Sequence, residues 1–246
     1  MNANETEMFN AKPPEYKEFE DDRLLFNEES IRKAFIRKVY LILTFQMLVS
    51  LGFIVWFLFD HQVSYYVATH SWVTLGSMTA AIILLIFLLC CDLHRQYPLN
   101  IILLAAFTIT ESILLASISA FFGTKIVMIA AGITAVVFLS LTIFSFQTKW
   151  DFTMQGGVLL VFMVVLLMFG LLTILFPNRT MILIYSSFGA LLFGVYIIYD
   201  TQLLMGGGHA MAISPEDYVV AVLTLYMDII NLFVLILNLV GGSSRN

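Results

Sequence analysis

Charge is what this chain has least of. Of its 246 residues only 12% are charged, 12 of them Lys or Arg and 17 Asp or Glu, about half the share in an ordinary water-soluble domain. A nucleic-acid binder and a charged, disordered scaffold are excluded on that ground, and nothing in the composition is collagen-like. There are two cysteines, Cys90 and Cys91. They are adjacent, so they build no disulfide framework of the kind that staples small secreted modules. The first residues lack a basic segment followed by a short apolar run, so no cleaved signal is read there. What is present is apolar: 60% of the chain is hydrophobic, and its mean hydropathy is +0.93.

The few charges are unevenly placed. Residues 1–31 hold nine acids and three bases, a net of −6, whereas residues 32–246 are nearly neutral at +1. The boundary predicts a disordered acidic tail over 1–31 and a membrane domain over 32–246. A helix crosses the roughly 30 Å hydrocarbon layer in about 20 residues. Apolar runs near 39–59, 72–91, 99–122, 125–146, 156–176, 181–205 and 217–240 therefore predict seven crossings, an all-α bundle whose short connections make neighbours antiparallel. With the tail in the cytosol, nine Lys and Arg fall inside (Lys12, Lys17, Arg23, Arg32, Lys33, Arg37, Lys38, Arg95, Lys149) against Lys125, Arg179 and Arg245 outside, which sets the N-terminus cytosolic. Seven full crossings put the C-terminus in the lumen; a re-entrant last run would return it to the cytosol.

Three acids fall inside the predicted spans: Glu111 in the third, Asp200 in the sixth and Asp228 in the seventh. No Lys or Arg lies deep in any span. An ionisable group in a bilayer costs several kcal/mol, so each is a functional candidate by default. Glu111 lies 12 residues beyond Leu99, about 18 Å along the helix and near the midplane. Asp228 is also deep, while Asp200 is nearer the cytosolic end. Because the sixth and seventh spans are antiparallel neighbours, Asp200 and Asp228 can approach. Two close carboxylates cannot both ionise cheaply, so the pair shares protons, and it also offers hard oxygen ligands to Ca²⁺. The plainer reading, in which each acid only hydrogen-bonds a neighbouring helix, stands beside this one. Between the two spans, Gly206-Gly-Gly208 reads as a hinge, and Ser214-Pro-Glu-Asp217 as a capped helix start.

Several motifs in order resemble the transmembrane Bax inhibitor motif family, also called lifeguard proteins, and its Golgi anti-apoptotic branch above all. They are Ile36-Arg-Lys-Val-Tyr40 with Gln46, Tyr97-Pro-Leu-Asn100, Phe107-Thr108 with Glu111, Gln147-Thr-Lys with Asp151-Phe152, Tyr199-Asp-Thr-Gln202, Ser214-Pro-Glu-Asp-Tyr218 and Leu225-Tyr-Met-Asp-Ile-Ile-Asn-Leu-Phe233. The resemblance spans residues 30–240. It implies a seven-helix bundle with the last helix central, residing in Golgi or endoplasmic reticulum membrane. It further implies a pH-modulated leak of Ca²⁺ from intracellular stores that opposes apoptosis. On that resemblance Asp200 and Asp228 are the proton-sharing, Ca²⁺-sensing pair, Glu111 lies in the ion pathway, and Arg95 is the nearest match to an arginine that latches the gate. Ca²⁺ enters as a permeant or bound ion; no other cofactor, no nucleic acid and no catalytic residue is assigned.

Two other classes compete. An intramembrane aspartyl protease would share Tyr199-Asp200 but needs Gly-x-Gly before its second aspartate, and Asp228 follows Leu225-Tyr-Met. A non-conducting adaptor would act through the tail, where Pro13-Pro14-Glu-Tyr16 matches a Pro-Pro-x-Tyr ligand for WW domains and Tyr16-Lys-Glu-Phe19 a sorting signal. Membrane lipid, a WW-domain protein and a second copy of the chain are the candidate partners. Cys90 and Cys91 are candidate palmitoylation sites.

Overall fold

The computed structural model of the chain describes residues 16–90, 93–206 and 210–243, with side chains from 28 onward except those of 90 and 243. The Pro13-Pro14 pair, Cys91, and Gly207 and Gly208 of the glycine run lie outside the described residues, as do the side chains of Tyr16 and Cys90.

Eight helices make up the described chain: α1 (Tyr16–Phe59), α2 (His61–Thr69), α3 (Trp72–Cys90), α4 (Leu99–Ser119), α5 (Thr124–Gln147), α6 (Gly156–Leu175), α7 (Arg179–Met205) and α8 (Tyr218–Ser243). All but α2 are long and apolar enough to cross a bilayer, seven spans in all. Six of them coincide within a few residues with apolar runs of the sequence, α1 ends with the first run but begins well before it, and α8 is one unbroken helix. Its 26 residues reach about 39 Å, more than the hydrocarbon thickness, so the last run is long enough to cross rather than return.

Helix α1 begins at Tyr16, within the stretch that composition assigns to the acidic tail. No Gly or Pro interrupts it before Gly52, and Lys33 pairs with Glu29 one turn back at 3.1 Å, so the helix carries a polar extension before it enters the apolar layer. The connection between the first two apolar runs, residues 60–71, contains α2. Asp60 caps it by accepting from Gln62 N at 2.9 Å and Val63 N at 3.2 Å, which satisfies orphan donors of its first turn.

The outer faces of the bundle remain apolar and exposed, as at Phe45, Ile82, Leu139 and Leu160, the pattern expected where lipid replaces water. Burial is concentrated in one element. In α8, 72% of the spanning window is buried, against 11–39% in the other six. Helix α8 is therefore the axis around which α1, α4, α5 and α7 pack, and its two carboxyl-terminal glycines let Phe122 and Leu183 lie against its backbone.

At the end of the bundle where α1 begins, α1 and the α5–α6 connection hold the segment between α7 and α8. Arg32 Nη1 donates to Ile213 O at 2.7 Å and Leu204 O at 3.4 Å. Ala210 N donates to Asp151 Oδ2 at 2.8 Å and Met211 N to Thr153 Oγ1 at 3.2 Å. Gln202, wholly buried, donates to Trp150 O at 2.8 Å and accepts from Phe152 N at 2.7 Å. Gly206 closes α7 with φ +57, where a Cβ would meet Arg32 Cζ at 2.9 Å; only glycine fits both the backbone and the guanidinium beside it.

Candidate functional site

Asp200 lies in the penultimate turns of α7 and Asp228 near the middle of α8. Antiparallel packing of the two helices brings the side chains together. Both are buried, at 7% and 6% exposure. Their carboxyl groups are in hydrogen-bonding contact, and the Thr224 hydroxyl, one turn before Asp228, reaches Asp200. Tyr196 lies within electrostatic reach of both carboxyls and Tyr199 within that of Asp200. Asp228 Oδ2 is sealed from solvent without a partner. Ionised carboxylates only accept, so contact between two of them requires a proton on one. The arrangement can hold and exchange a proton between α7 and α8.

The Tyr199 hydroxyl lies against Gly156 at the start of α6, where a Cβ would stand 2.7 Å from it. As a Ca²⁺ site the pair is sparse. Among the described residues no three His, Cys, Asp or Glu side chains gather around one point, and two carboxyls with one threonine fall short of the roughly six to eight oxygens that Ca²⁺ takes.

Arg95 does not reach this pair. It forms a two-pronged ion pair with Asp217 at the entrance to α8, Nε to Oδ1 at 2.6 Å and Nη2 to Oδ2 at 2.9 Å. His94 Nε2 lies 3.4 Å from the same Oδ1. Asn100, buried in the first turn of α4, donates to His94 O and to the Tyr218 hydroxyl, both at 3.1 Å, and Lys38 Nζ sits 3.2 Å from the centre of the Tyr218 ring. These contacts join α1, the α3–α4 connection and the start of α8. Ser214 caps the short turn Pro215–Asp217 that leads into α8, as its sequence indicates. The Asp217 partnership was not legible, because Arg95 and Asp217 are 122 residues apart and nothing local couples them.

Glu111 is buried at 9% exposure, away from the aspartates, on the side of α4 that faces α1 and α8. It lies within electrostatic reach of the Tyr226 hydroxyl. That hydroxyl bonds Ser50 Oγ at 2.8 Å and reaches Ser112; Ser50 and Ser112 are 2.9 Å apart. One turn away Gln46 Nε2 donates to Thr108 Oγ1 at 2.7 Å. Ser50, Ser112 and Tyr226 were not singled out from sequence. The available signal was their spacing: 46 and 50 on α1, and 108 and 112 on α4, are one turn apart and project from one face.

The chain matches the family model "Inhibitor of apoptosis-promoting Bax1" over residues 32–245. It is 38% identical over 221 residues to protein lifeguard 3 of Homo sapiens, covering 88% of this chain and 71% of that protein. It is 37% identical over 222 residues to protein lifeguard 3 of Mus musculus, covering 88% and 72%. To the Golgi anti-apoptotic protein of Vaccinia virus (strain Lister) it is 41% identical over 216 residues, covering 87% of this chain and 88% of that protein.

Proposed function

Because the chain belongs to the family of inhibitors of apoptosis-promoting Bax1, the lifeguard proteins, we propose that this multi-pass membrane protein is a pH-modulated Ca²⁺ leak of an intracellular membrane. By lowering stored Ca²⁺ it opposes apoptosis, and proton sharing between Asp200 and Asp228 gates it. The observation that carries this reading is the buried contact of those two carboxyls between α7 and α8. An acid pair in a bilayer without a neighbouring cation is stable only while it holds a proton or a cation. Exchange of one for the other couples pH to the packing of α7 on α8. Glu111 lines the ion pathway at mid-depth. Arg95, through Asp217, holds the entrance of α8 and so acts on the gate from its end rather than by touching the pair.

The membrane is that of the Golgi or endoplasmic reticulum, with the N-terminus cytosolic. Support comes from the Golgi and anti-apoptotic words in one relative's name and from the basic residues gathered at the α1 end. The α7–α8 connection then lies in the cytosol and α2 in the lumen.

Purified protein in Ca²⁺-loaded liposomes tests the proposal. Wild type should leak with a rate that depends on pH, and Asp200→Asn and Asp228→Asn should each change the rate and flatten that dependence. Equal flux and equal pH response in all three would overturn it. Peptide-bond cleavage lost in the same two variants would instead identify a protease. Loss of cell protection in Tyr16→Ala with flux intact would move the function to the Pro-Pro-x-Tyr tail.

A further inference from the structure

Helix α1 meets the bundle along one edge. Its buried residues Val39, Leu43, Gln46, Ser50, Ile54 and Phe57 recur every three or four positions, a single stripe, and that stripe lies against α4 and α8. Helix α5 packs on α7 and α8. Helices α1 and α5 therefore both lean on the central helix with little direct packing between them.

A slot of 340 Å³ runs between the two. Its floor is Ile229, Ile230 and Phe233 of α8, at 3–5% exposure. Its rim includes Leu48 and Leu51 of α1 and Leu139 of α5, at 48–62% exposure, so it opens sideways into the hydrocarbon layer and not toward water. The slot exists because the face of α5 that borders it is made of small side chains, Ala131, Thr134 and Ala135, while the larger Ile133 and Val136 lie off the slot and exposed.

Size separates the possible occupants. From Thr44 to Ile54, the limits of the slot on α1, the helix rises about 15 Å. Spread over that length, the volume corresponds to a section of about 23 Å², against roughly 80–110 Å² for a helix with its side chains. A helix of a second copy or of a partner is too thick to enter, and a single extended hydrocarbon chain is not. The chemistry of the walls agrees. Three hydroxyls line the slot, and each is bonded to the backbone carbonyl one turn back: Thr44 to Tyr40 O at 2.7 Å, Ser50 to Gln46 O at 3.0 Å and Thr134 to Ala130 O at 2.8 Å. Ser50 is further engaged with Ser112 and Tyr226. Among the described residues that line the slot, none leaves a buried polar side-chain atom without a partner. The walls thus offer nothing to water, an ion or a headgroup, and they gain dispersion contacts from an apolar guest. Depth points the same way. Residues 44–54 lie five residues inside each end of the apolar run 39–59, about 7 Å along the helix, so a headgroup stays outside and the far part of a tail enters.

We propose that one hydrocarbon tail of a membrane lipid inserts between α1 and α5 and seats on Ile229, Ile230 and Phe233 of the central helix. The tail supplies the packing that the first and fourth spans do not give each other. The site stands whether or not Ca²⁺ leaks through the protein, because its readout is contact.

The test is photolabelling of the full chain in phosphatidylcholine vesicles that contain a phosphatidylcholine with a diazirine at the end of one tail, with labelled residues identified by mass spectrometry. Bulk lipid reaches the exposed Leu160 and Val161 of α6, which should be labelled in every sample and report insertion. Labelling of Ile229, Ile230 or Phe233, which the other helices screen from bulk lipid, is the expected sign of a tail in the slot. Ala131→Phe and Ala135→Phe, each of which fills the slot from α5, should remove the α8 label and keep that on α6. Label on α6 without label at these three α8 positions overturns the proposal, as does α8 label that persists in both variants. Crosslinks joining two copies through α1 and α5 in place of lipid adducts also overturn it. Where neither variant folds, a second probe decides: with the diazirine beside the ester of the tail, the α8 label should vanish, and equal α8 labelling by the two probes is the overturning result.

Discussion

Glycines separate positions that need a missing Cβ from positions that merely lack one. At Gly206 the backbone is left-handed, φ +57 with ψ −143, and a side chain would meet the Arg32 guanidinium at 2.9 Å. At Gly52 and Gly132, both within helices, a Cβ would meet nothing within 4 Å. Gly206→Ala should therefore lower stability by about 1–3 kcal/mol, while Gly52→Ala and Gly132→Ala should be neutral or stabilising by up to about 1 kcal/mol. Unfolding midpoints of the three variants in one detergent check the ordering. Among the acids, position was legible and partnership only in part. That Asp200 and Asp228 can meet follows from two antiparallel spans joined by a short connection. The company of Glu111 does not follow, because serine, threonine and tyrosine occur throughout these spans and only the packed helices select the few that converge.

The helices themselves were the most legible part of the chain, since a membrane span is a one-dimensional signal: length and hydropathy suffice. What that signal omits is anything short or polar. Helix α2 escaped it because its nine residues are too few to cross, and its stability comes from the Asp60 cap instead. The contacts between connections were equally hidden. Gln202 is an example: from α7 it holds both Trp150 O and Phe152 N, fixing the α5–α6 connection to the helix that bears Asp200. Gln202→Leu removes the partner of the Trp150 carbonyl and the Phe152 amide, both part-buried bonds, at a cost of about 1–3 kcal/mol in all. Denaturation should show the loss, and amide exchange should rise at Phe152 more than in the middle of α5. An unchanged exchange rate at Phe152 would mean that the clamp is not what orders this connection.

Across the whole molecule, fold class and the number of spans were readable from composition, but the distribution of burial was not. Hydropathy cannot rank the seven spans by centrality, because lipid-facing and core-facing leucines look alike in sequence; it is α6, the most exposed at 11% buried, that has the highest mean hydropathy, 3.1. The centrality of α8 rests on packing, and it has a consequence for biosynthesis. A ribosome makes the chain from its N-terminus, so the helix on which others close leaves the translocon after the other six spans. Pairs such as α1 with α4 and α3 with α4 can already pack, but they must wait in the bilayer without their common axis until residues 218–243 arrive. Chains arrested before Tyr218 should thus insert with full membrane protection of their spans, yet yield to protease in their connections far faster than the finished protein. Assembly is thus completed late, and any quality-control factor that recognises helix faces left bare by the missing axis has the time until α8 emerges in which to find them.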